Sequence, residues 1–305
     1  MKRAFTLIEL IITMVILAIV SYIASGLIAK TYIASTQTTS INRANLKVEA
    51  ALSIITNRLE YAINNTIVKR KQQGDFTLFP IEKAPKDFAL LEWIGFDKES
   101  FEADTPPGWS GFCDIKQSTQ NSITTPGSNL NLAQTIIKNL SKNKASLSSQ
   151  NSVAIFFPGN FNYKNIGYKI VDFMHHFTLP FQNNGTALVI NYIPSTTLTA
   201  PKLLISNPSK RIVEQYKLAW SAYTVAPTDC KNVNGNTLCN LKLYYNYRPW
   251  KNEQYTQGES SLLITNVSVF KTYATQNRIH IKLCIQDKYL GKKTISVCKE
   301  KVVYK

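Results

Sequence analysis

The segment that most constrains this chain is an uncharged apolar run from Leu10 to Ala29, with Glu9 directly before it. Folded as a helix, residues 5–29 would be about 38 Å long, enough to cross a bilayer core of about 30 Å. Lys2 and Arg3 precede the run, and basic residues at this position place the N-terminus in the cytoplasm. We therefore expect a single membrane span, with the rest of the chain on the other side of the membrane.

Two ordinary interpretations compete for this segment, a cleaved secretory signal and a plain signal anchor. Ala24, Ser25 and Gly26 would offer the small residues of a secretory cleavage site, but the run exceeds the roughly 7–15 apolar residues of such signals. Both interpretations leave Glu9 unexplained. A carboxylate near the start of a membrane helix costs about 2–3 kcal/mol or more, so such a residue is normally paired and functional.

The residues around Glu9 carry a specific resemblance. Ala4 followed by Phe5-Thr6-Leu7-Ile8-Glu9 resembles the class III signal of type IV prepilins and type II secretion pseudopilins. The resemblance implies that a prepilin peptidase cuts between Ala4 and Phe5, removes a leader of residues 1–4, and methylates the new amine of Phe5. Ala4 stands where family members usually carry glycine.

The same resemblance implies a role for Glu9 in assembly. Cleavage would create a free amine at Phe5, and Glu9 of a neighbouring subunit could pair with it in the membrane or the filament core. Either charge alone is costly to bury, whereas the pair is much less so.

The helix is expected to continue beyond the membrane, since residues 30–47 are polar and contain no proline. Apolar residues then recur at helical spacing and predict a face that packs on a sheet. These residues are Val48, Ala51, Leu52, Ile55, Leu59, Ala62 and Ile63.

The remainder is expected to be rich in strands. Residues 72–150 are predicted to be irregular, with a short helix at Ala133–Leu140. Strand-like runs follow at Val153–Phe157, Tyr168–Phe173, Ala187–Ile193, Lys202–Ile205, Ile212–Val225, Leu241–Tyr247, Leu262–Phe270, Arg278–Ile285 and Thr294–Val303. This order predicts an α+β, pilin-like fold, a long N-terminal helix packed on an antiparallel sheet. Residues 5–29 would form its transmembrane half, and residues 30–305 an extracytoplasmic head that includes the amphipathic half of the helix.

The five cysteines form no CxxC pair, so common zinc and thioredoxin spacings are absent. Cys230 and Cys239 flank a turn-rich loop, and Cys284 and Cys298 lie on two apolar runs separated by a turn. We predict a disulfide within each pair and therefore an oxidising compartment. Cys113 is either a buried free thiol or the partner of one of the four.

Charge is unevenly distributed along a chain of net charge +16. Residues 201–305 carry 17 basic and 6 acidic side chains, whereas residues 75–114 carry 9 acidic and 3 basic ones. Either these are solvated faces of opposite sign, or the basic part meets DNA, anionic lipid or an acidic partner subunit. Aromatic residues beside two basic ones indicate either sheet packing or an exposed patch that could stack on nucleic acid. They are Tyr244, Tyr245, Tyr247, Trp250 and Tyr255, beside Arg248 and Lys251.

The motifs of common enzyme classes are absent. The chain has no P-loop, HExxH or GxGxxG, and the sequence from Gly108 to Gly111 differs from GxSxG. His175 and His176 are adjacent, so on a strand they would face opposite sides and chelate a metal poorly. We expect no enzyme activity, no metal and no cofactor.

The length and the two segments 218–223 and 263–270 resemble those of large members of the family, the PilW-like minor pilins and J-class pseudopilins. This resemblance implies a structural subunit that helps initiate or cap a type IV pilus or a type II secretion pseudopilus. Its partners would be prepilin peptidase, other pilin or pseudopilin subunits and the inner membrane, with the head in the periplasm until assembly. The alternative is a competence pseudopilus subunit whose basic head binds incoming DNA.

Overall fold

The computed structural model places a very long helix and two β-sheets. It describes residues 6–63, 66–71, 78–81, 84, 89–119, 122–148, 152–157, 187–192, 201–205, 213–233, 235–251, 253–275, 277–289 and 293–305. The fold is pilin-like α+β, as expected: a long N-terminal helix followed by a largely antiparallel head.

Helix α1 spans Leu7–Glu60, which is 54 residues and about 81 Å. Its first buried residue is Ala44, so most of its length projects from the head. The predicted apolar face is confirmed: Val48, Leu52, Ile55 and Leu59 are fully buried. The spacing predicted this face because residues three and four apart lie on the same side of a helix.

The first sheet has eight antiparallel strands in the order β14-β13-β12-β11-β10-β3-β1-β2. Helix α1 packs mainly on β13 and β14, and its apolar face meets the inward residues of the sheet. The strands are β1 (Val68–Arg70), β2 (Leu78–Pro80), β3 (Leu90–Gly95), β10 (Ser221–Val233), β11 (Asn236–Tyr247), β12 (Glu259–Thr275), β13 (Arg278–Tyr289) and β14 (Lys293–Tyr304).

A second sheet is inserted between two neighbouring strands of the first. Gly95 at the end of β3 pairs with Ser221 at the start of β10, so everything between them leaves the first sheet and returns. The inserted elements are α2 (Lys98–Phe101), β4 (Asp114–Thr119), β5 (Ser122–Thr124), α3 (Leu130–Leu140), β6 (Val153–Phe156), β7 (Ala187–Tyr192), β8 (Lys202–Ile205) and β9 (Lys217–Ala219). Their six strands form one antiparallel sheet in the order β4-β5-β8-β7-β6-β9.

The two sheets meet over the face of β3, β10 and β11 that points away from α1. Phe156 of the inserted sheet packs edge-on against Trp250, with ring centroids 6.3 Å apart, and Ile94 lies in the same cluster. The inserted sheet therefore packs on the first sheet at β3, β10 and β11, on the side opposite α1.

The prediction that residues 72–150 are irregular is wrong. The central strand β3 lies there, and all six of its residues are buried. A strand buried on both faces shows no alternation of polar and apolar residues, and Glu92 interrupts its apolar run. Helix α3 also begins earlier than predicted, at Leu130, where Asn129 caps it.

The later strands agree more closely with the prediction, and Lys202–Ile205 agrees at both ends. The run Ile212–Val225 is instead two strands that belong to different sheets, since the chain crosses between them at Trp220. The run Tyr168–Phe173 lies outside the described residues.

Candidate functional site

Glu9 takes part in a reciprocal cap at the start of α1. The backbone N–H of Glu9 donates to Thr6 Oγ1 at 3.4 Å, and the backbone N–H of Thr6 donates to Glu9 Oε2 at 3.0 Å. The Thr6 hydroxyl also donates to Glu9 Oε2, at 3.0 Å. This capping box satisfies N–H groups that the first turn of a helix leaves unpaired. Ala4 and Phe5 lie outside the described residues.

The cap determines where the Glu9 carboxylate lies. It is held within hydrogen-bond distance of the backbone nitrogen of Thr6, which is the second residue after the predicted cleavage point. The carboxylate is therefore oriented toward the N-terminal end of the helix.

The first part of α1 exposes apolar side chains around its whole circumference. Leu7, Ile8, Met14, Leu17 and Ile28 are each more than half exposed, and the segment around them is similar. The helix is long and apolar enough to cross a membrane, judged by length and composition. Such a surface needs lipid or neighbouring helices around it.

Comparison with known protein families supports the assignment of a prepilin-type motif to the N-terminus. Residues 1–24 match the family model described as the prokaryotic N-terminal methylation motif. The N-terminal motif is that of the type IV pilins and pseudopilins. The match covers the N-terminal segment alone, and no curated protein and no solved structure matches significantly.

The head is attached to α1 by ion pairs as well as by its apolar core. Glu49 on α1 contacts Lys299 at 2.9 Å and Lys301 at 2.5 Å, both on β14. These two lysines lower the pKa of Glu49 to about 2. Lys47 also reaches Asp287 on β13, at 3.1 Å.

The four cysteines predicted to pair are brought together. The sulfur atoms lie 2.00 Å apart in Cys230 and Cys239, and 2.08 Å apart in Cys284 and Cys298. Both pairs join neighbouring strands, β10 to β11 and β13 to β14. Cys113 is a buried free thiol among the apolar residues that pack between the inserted sheet and α3, and its sulfur lies 3.3 Å from the Ser118 hydroxyl. Burial raises the pKa of Cys113 above its usual range.

The aromatic patch suggested around Arg248 is not an exposed surface. Tyr247 and Trp250 are completely buried, and Arg248 is 5% exposed and pairs with Glu253 at 2.8 Å. The alternation of side chains along β11 turns Tyr247 toward the junction of the two sheets, where its hydroxyl donates to Glu92 at 3.0 Å. The interpretation of these residues as sheet packing is the one that the structure supports.

Glu92 belongs to a buried polar network whose members are paired. Its carboxylate contacts Arg70 at 2.8 Å, and the Tyr247 hydroxyl also lies 2.6 Å from Thr224 Oγ1. Burial raises the pKa of Tyr247 well above its usual range. The network links β1, β3, β10 and β11, and loss of any one member would leave a buried polar or charged group without its partner.

The described residues contain no cluster of three or more His, Cys, Asp or Glu side chains that could hold a metal. His175 and His176 lie outside the described part of the chain. Ser110, in the sequence that differs from GxSxG, makes side-chain hydrogen bonds to the hydroxyls of Thr125 and Ser128, each at 3.1 Å.

The structure exposes a surface that the sequence analysis missed, on the side of β12–β14 that faces away from α1. We call it the outer face, and the inserted sheet packs beside it over β3, β10 and β11. The alternation of side chains along β13 indicates this face. Ile279, Ile281 and Leu283 point inward, so Arg278, His280 and Lys282 must point outward.

Proposed function

We propose that the chain is a minor pilin or pseudopilin, a structural subunit that helps to initiate or cap a type IV pilus or a type II secretion pseudopilus. A prepilin peptidase cuts it between Ala4 and Phe5 and methylates Phe5. Residues 5–29 anchor it in the inner membrane, with the head in the periplasm. The observation that carries the proposal is the methylation motif at the start of an exposed apolar helix, with Glu9 at its first turn.

The capping box suggests how the carboxylate of Glu9 is stabilised before assembly. In the single chain, Thr6 supplies hydrogen bonds to the carboxylate, which reduces the cost of holding it at the edge of the membrane. During assembly, the Phe5 amine of a neighbouring subunit takes the place of these neutral donors. A charged donor forms the stronger hydrogen bond, so the exchange favours the assembled state.

The shape of the head favours a position at the end of a filament. A helix with its side chains is about 10–12 Å wide, whereas this head adds a complete six-stranded sheet beside the sheet that packs on α1. Heads of this breadth would crowd one another at every position of a closely packed helical bundle. At a tip they have fewer neighbours, which agrees with an initiating or capping subunit.

Mass spectrometry of the protein extracted from membranes tests the first step. We expect an N-terminal methylated Phe5, and the Ala4→Gly variant, which has the usual family residue, is the positive control. An intact Met1 or a start near Gly26 would contradict prepilin processing.

Filament counts test the structural role. Deletion of the protein should reduce the number of filaments while the amount of major subunit in the membrane stays the same. Normal filament numbers in the deletion strain would contradict a role in initiation, whatever the result for cleavage.

A further inference from the structure

The outer face of β12–β14 has an ordered arrangement of side chains. The strand register aligns them in three rows, each crossing from β12 through β13 to β14. The rows are Lys271, Lys282 and Glu300; then Tyr273, His280 and Val302; then Thr275, Arg278 and Tyr304. Basic and aromatic groups are therefore interleaved on a surface that faces away from α1.

The aromatic rings of this face are available to a ligand. Tyr304 is 70% exposed and Tyr273 is 44% exposed. Tyr273 stacks on His280 with ring centroids 4.5 Å apart, and the Arg278 guanidinium lies 5.1 Å from the centroid of Tyr304. Each tyrosine is thus held in place by its cross-strand neighbour while part of its ring remains open to solvent.

The charges of this face are only partly compensated, since Glu300 lies opposite Lys282 in the strand register. Lys271 and Lys282 are exposed and lie directly opposite each other across two strands, an arrangement that destabilises a sheet. Neither is at ion-pair distance from a carboxylate in the described part of the chain. Glu300 is the acidic residue of the three rows, and its Oε1 is already shared by His280 and the Tyr273 hydroxyl, both at 3.0 Å. An anion bound over the two lysines would relieve their repulsion.

We propose that the outer face binds single-stranded nucleic acid. Lys271, Lys282 and Arg278 contact phosphates, and bases stack on Tyr304 and Tyr273. A positive surface interleaved with exposed rings is the combination that binds single strands without reading their sequence. A duplex hides the faces of its bases, so it would use the lysines and leave the rings without a partner. This binding goes beyond the filament role and does not depend on it.

The test measures binding of a fluorescent oligothymidylate to the full-length protein in detergent, by anisotropy over a range of salt concentrations. We expect the affinity to fall as salt rises. The double substitution Lys271→Ala, Lys282→Ala should weaken binding and reduce the log–log salt slope by about 1.4, since each phosphate contact to a single strand contributes about 0.7. The matched control, Lys116→Ala with Lys202→Ala, removes the same charge from exposed positions on the inserted sheet and should leave the slope unchanged.

Substitutions of Tyr304 test separately whether bases stack on this face. Tyr304→Ala should weaken binding about 5- to 150-fold, whereas Tyr304→Phe, which keeps the ring, should bind like the wild type. Measurement of their unfolding temperatures checks that both variants are folded. Absence of binding at low salt, or equal loss in the control double variant, would overturn the proposal. So would an unchanged affinity in Tyr304→Ala, or equally strong competition by duplex DNA or by inorganic polyphosphate.

Discussion

The Lys305 ammonium donates hydrogen bonds to the main-chain carbonyl oxygens of Glu60, at 2.9 Å, and of Ala62, at 3.2 Å. The end of β14 therefore caps the end of α1, about 240 residues earlier in the chain. Carbonyl groups at a helix C-terminus lack partners within the helix and carry partial negative charge. Lys305 therefore supplies hydrogen-bond donors at the end of α1 that lies within the head, where burial lowers the pKa of its ammonium to about 8.

Lys305→Ala should lower the free energy of unfolding by about 1 kcal/mol, because it leaves the carbonyl groups of Glu60 and Ala62 without their hydrogen-bond donor. Chemical denaturation followed by circular dichroism measures the change, with Lys116→Ala as the control for loss of an exposed lysine. Equal stability of the two variants would show that the cap contributes nothing.

The attachment of Glu49 to Lys299 and Lys301 should depend on pH. These lysines lower the pKa of Glu49 from 4.5 to about 2, so its contribution to stability is present above pH 4.5 and is lost as the pH falls toward 2. Glu49→Gln should therefore lower the unfolding temperature at pH 7 and have little effect near pH 2. Glu214→Gln, another exposed glutamate, serves as control, and a pH-independent effect of Glu49→Gln would contradict the assignment.

Non-reducing peptide mapping should recover Cys230 linked to Cys239 and Cys284 linked to Cys298. The loops that they close have sequence separations of 9 and 14, so replacing either pair with alanines should cost about 2–3 kcal/mol. Cys113 should react with an alkylating reagent only after unfolding, since it is buried. A peptide that links Cys113 to any of the four would overturn the pairing.

Glu9→Ala should leave the protein cleaved and inserted but unable to assemble normally. The substitution removes a charge that is costly in lipid, so insertion is no harder, and the head begins too far along α1 to be affected. The Phe5 amine of a neighbouring subunit would then be buried without its partner. Immunoblots of sheared filaments measure assembly, and recovery at wild-type levels would show that Glu9 lacks this role.

Thr6→Val is the matched variant for the cap, because it keeps the carboxylate and removes the hydroxyl. If Thr6 only holds Glu9 before assembly, this variant should assemble better than Glu9→Ala. If cleavage is lost in Glu9→Ala, then Glu9 acts in recognition by the peptidase instead.

Elements with a regular pattern could be predicted from the sequence. The apolar face from Val48 to Leu59 has helical spacing, and Arg278–Ile285 alternates between inward and outward residues, so both were assigned to the correct kind of element. Strand β3 could not be found in this way, because it is buried on both faces and carries Glu92 among its apolar residues. That carboxylate is stable there only because Arg70 and Tyr247 lie beside it.

The sequence by itself determined the motif around Glu9, the long apolar helix and the alternating strands of the head. Each of these is local, since it depends on residues a few positions apart and on the periods of helix and strand. Only the tertiary structure decided that the chain leaves the first sheet at Gly95 and returns at Ser221, that Tyr247 is core, and that Tyr304 is surface. Burial depends on which elements pack together, and that packing is determined by contacts between residues that are distant in the sequence.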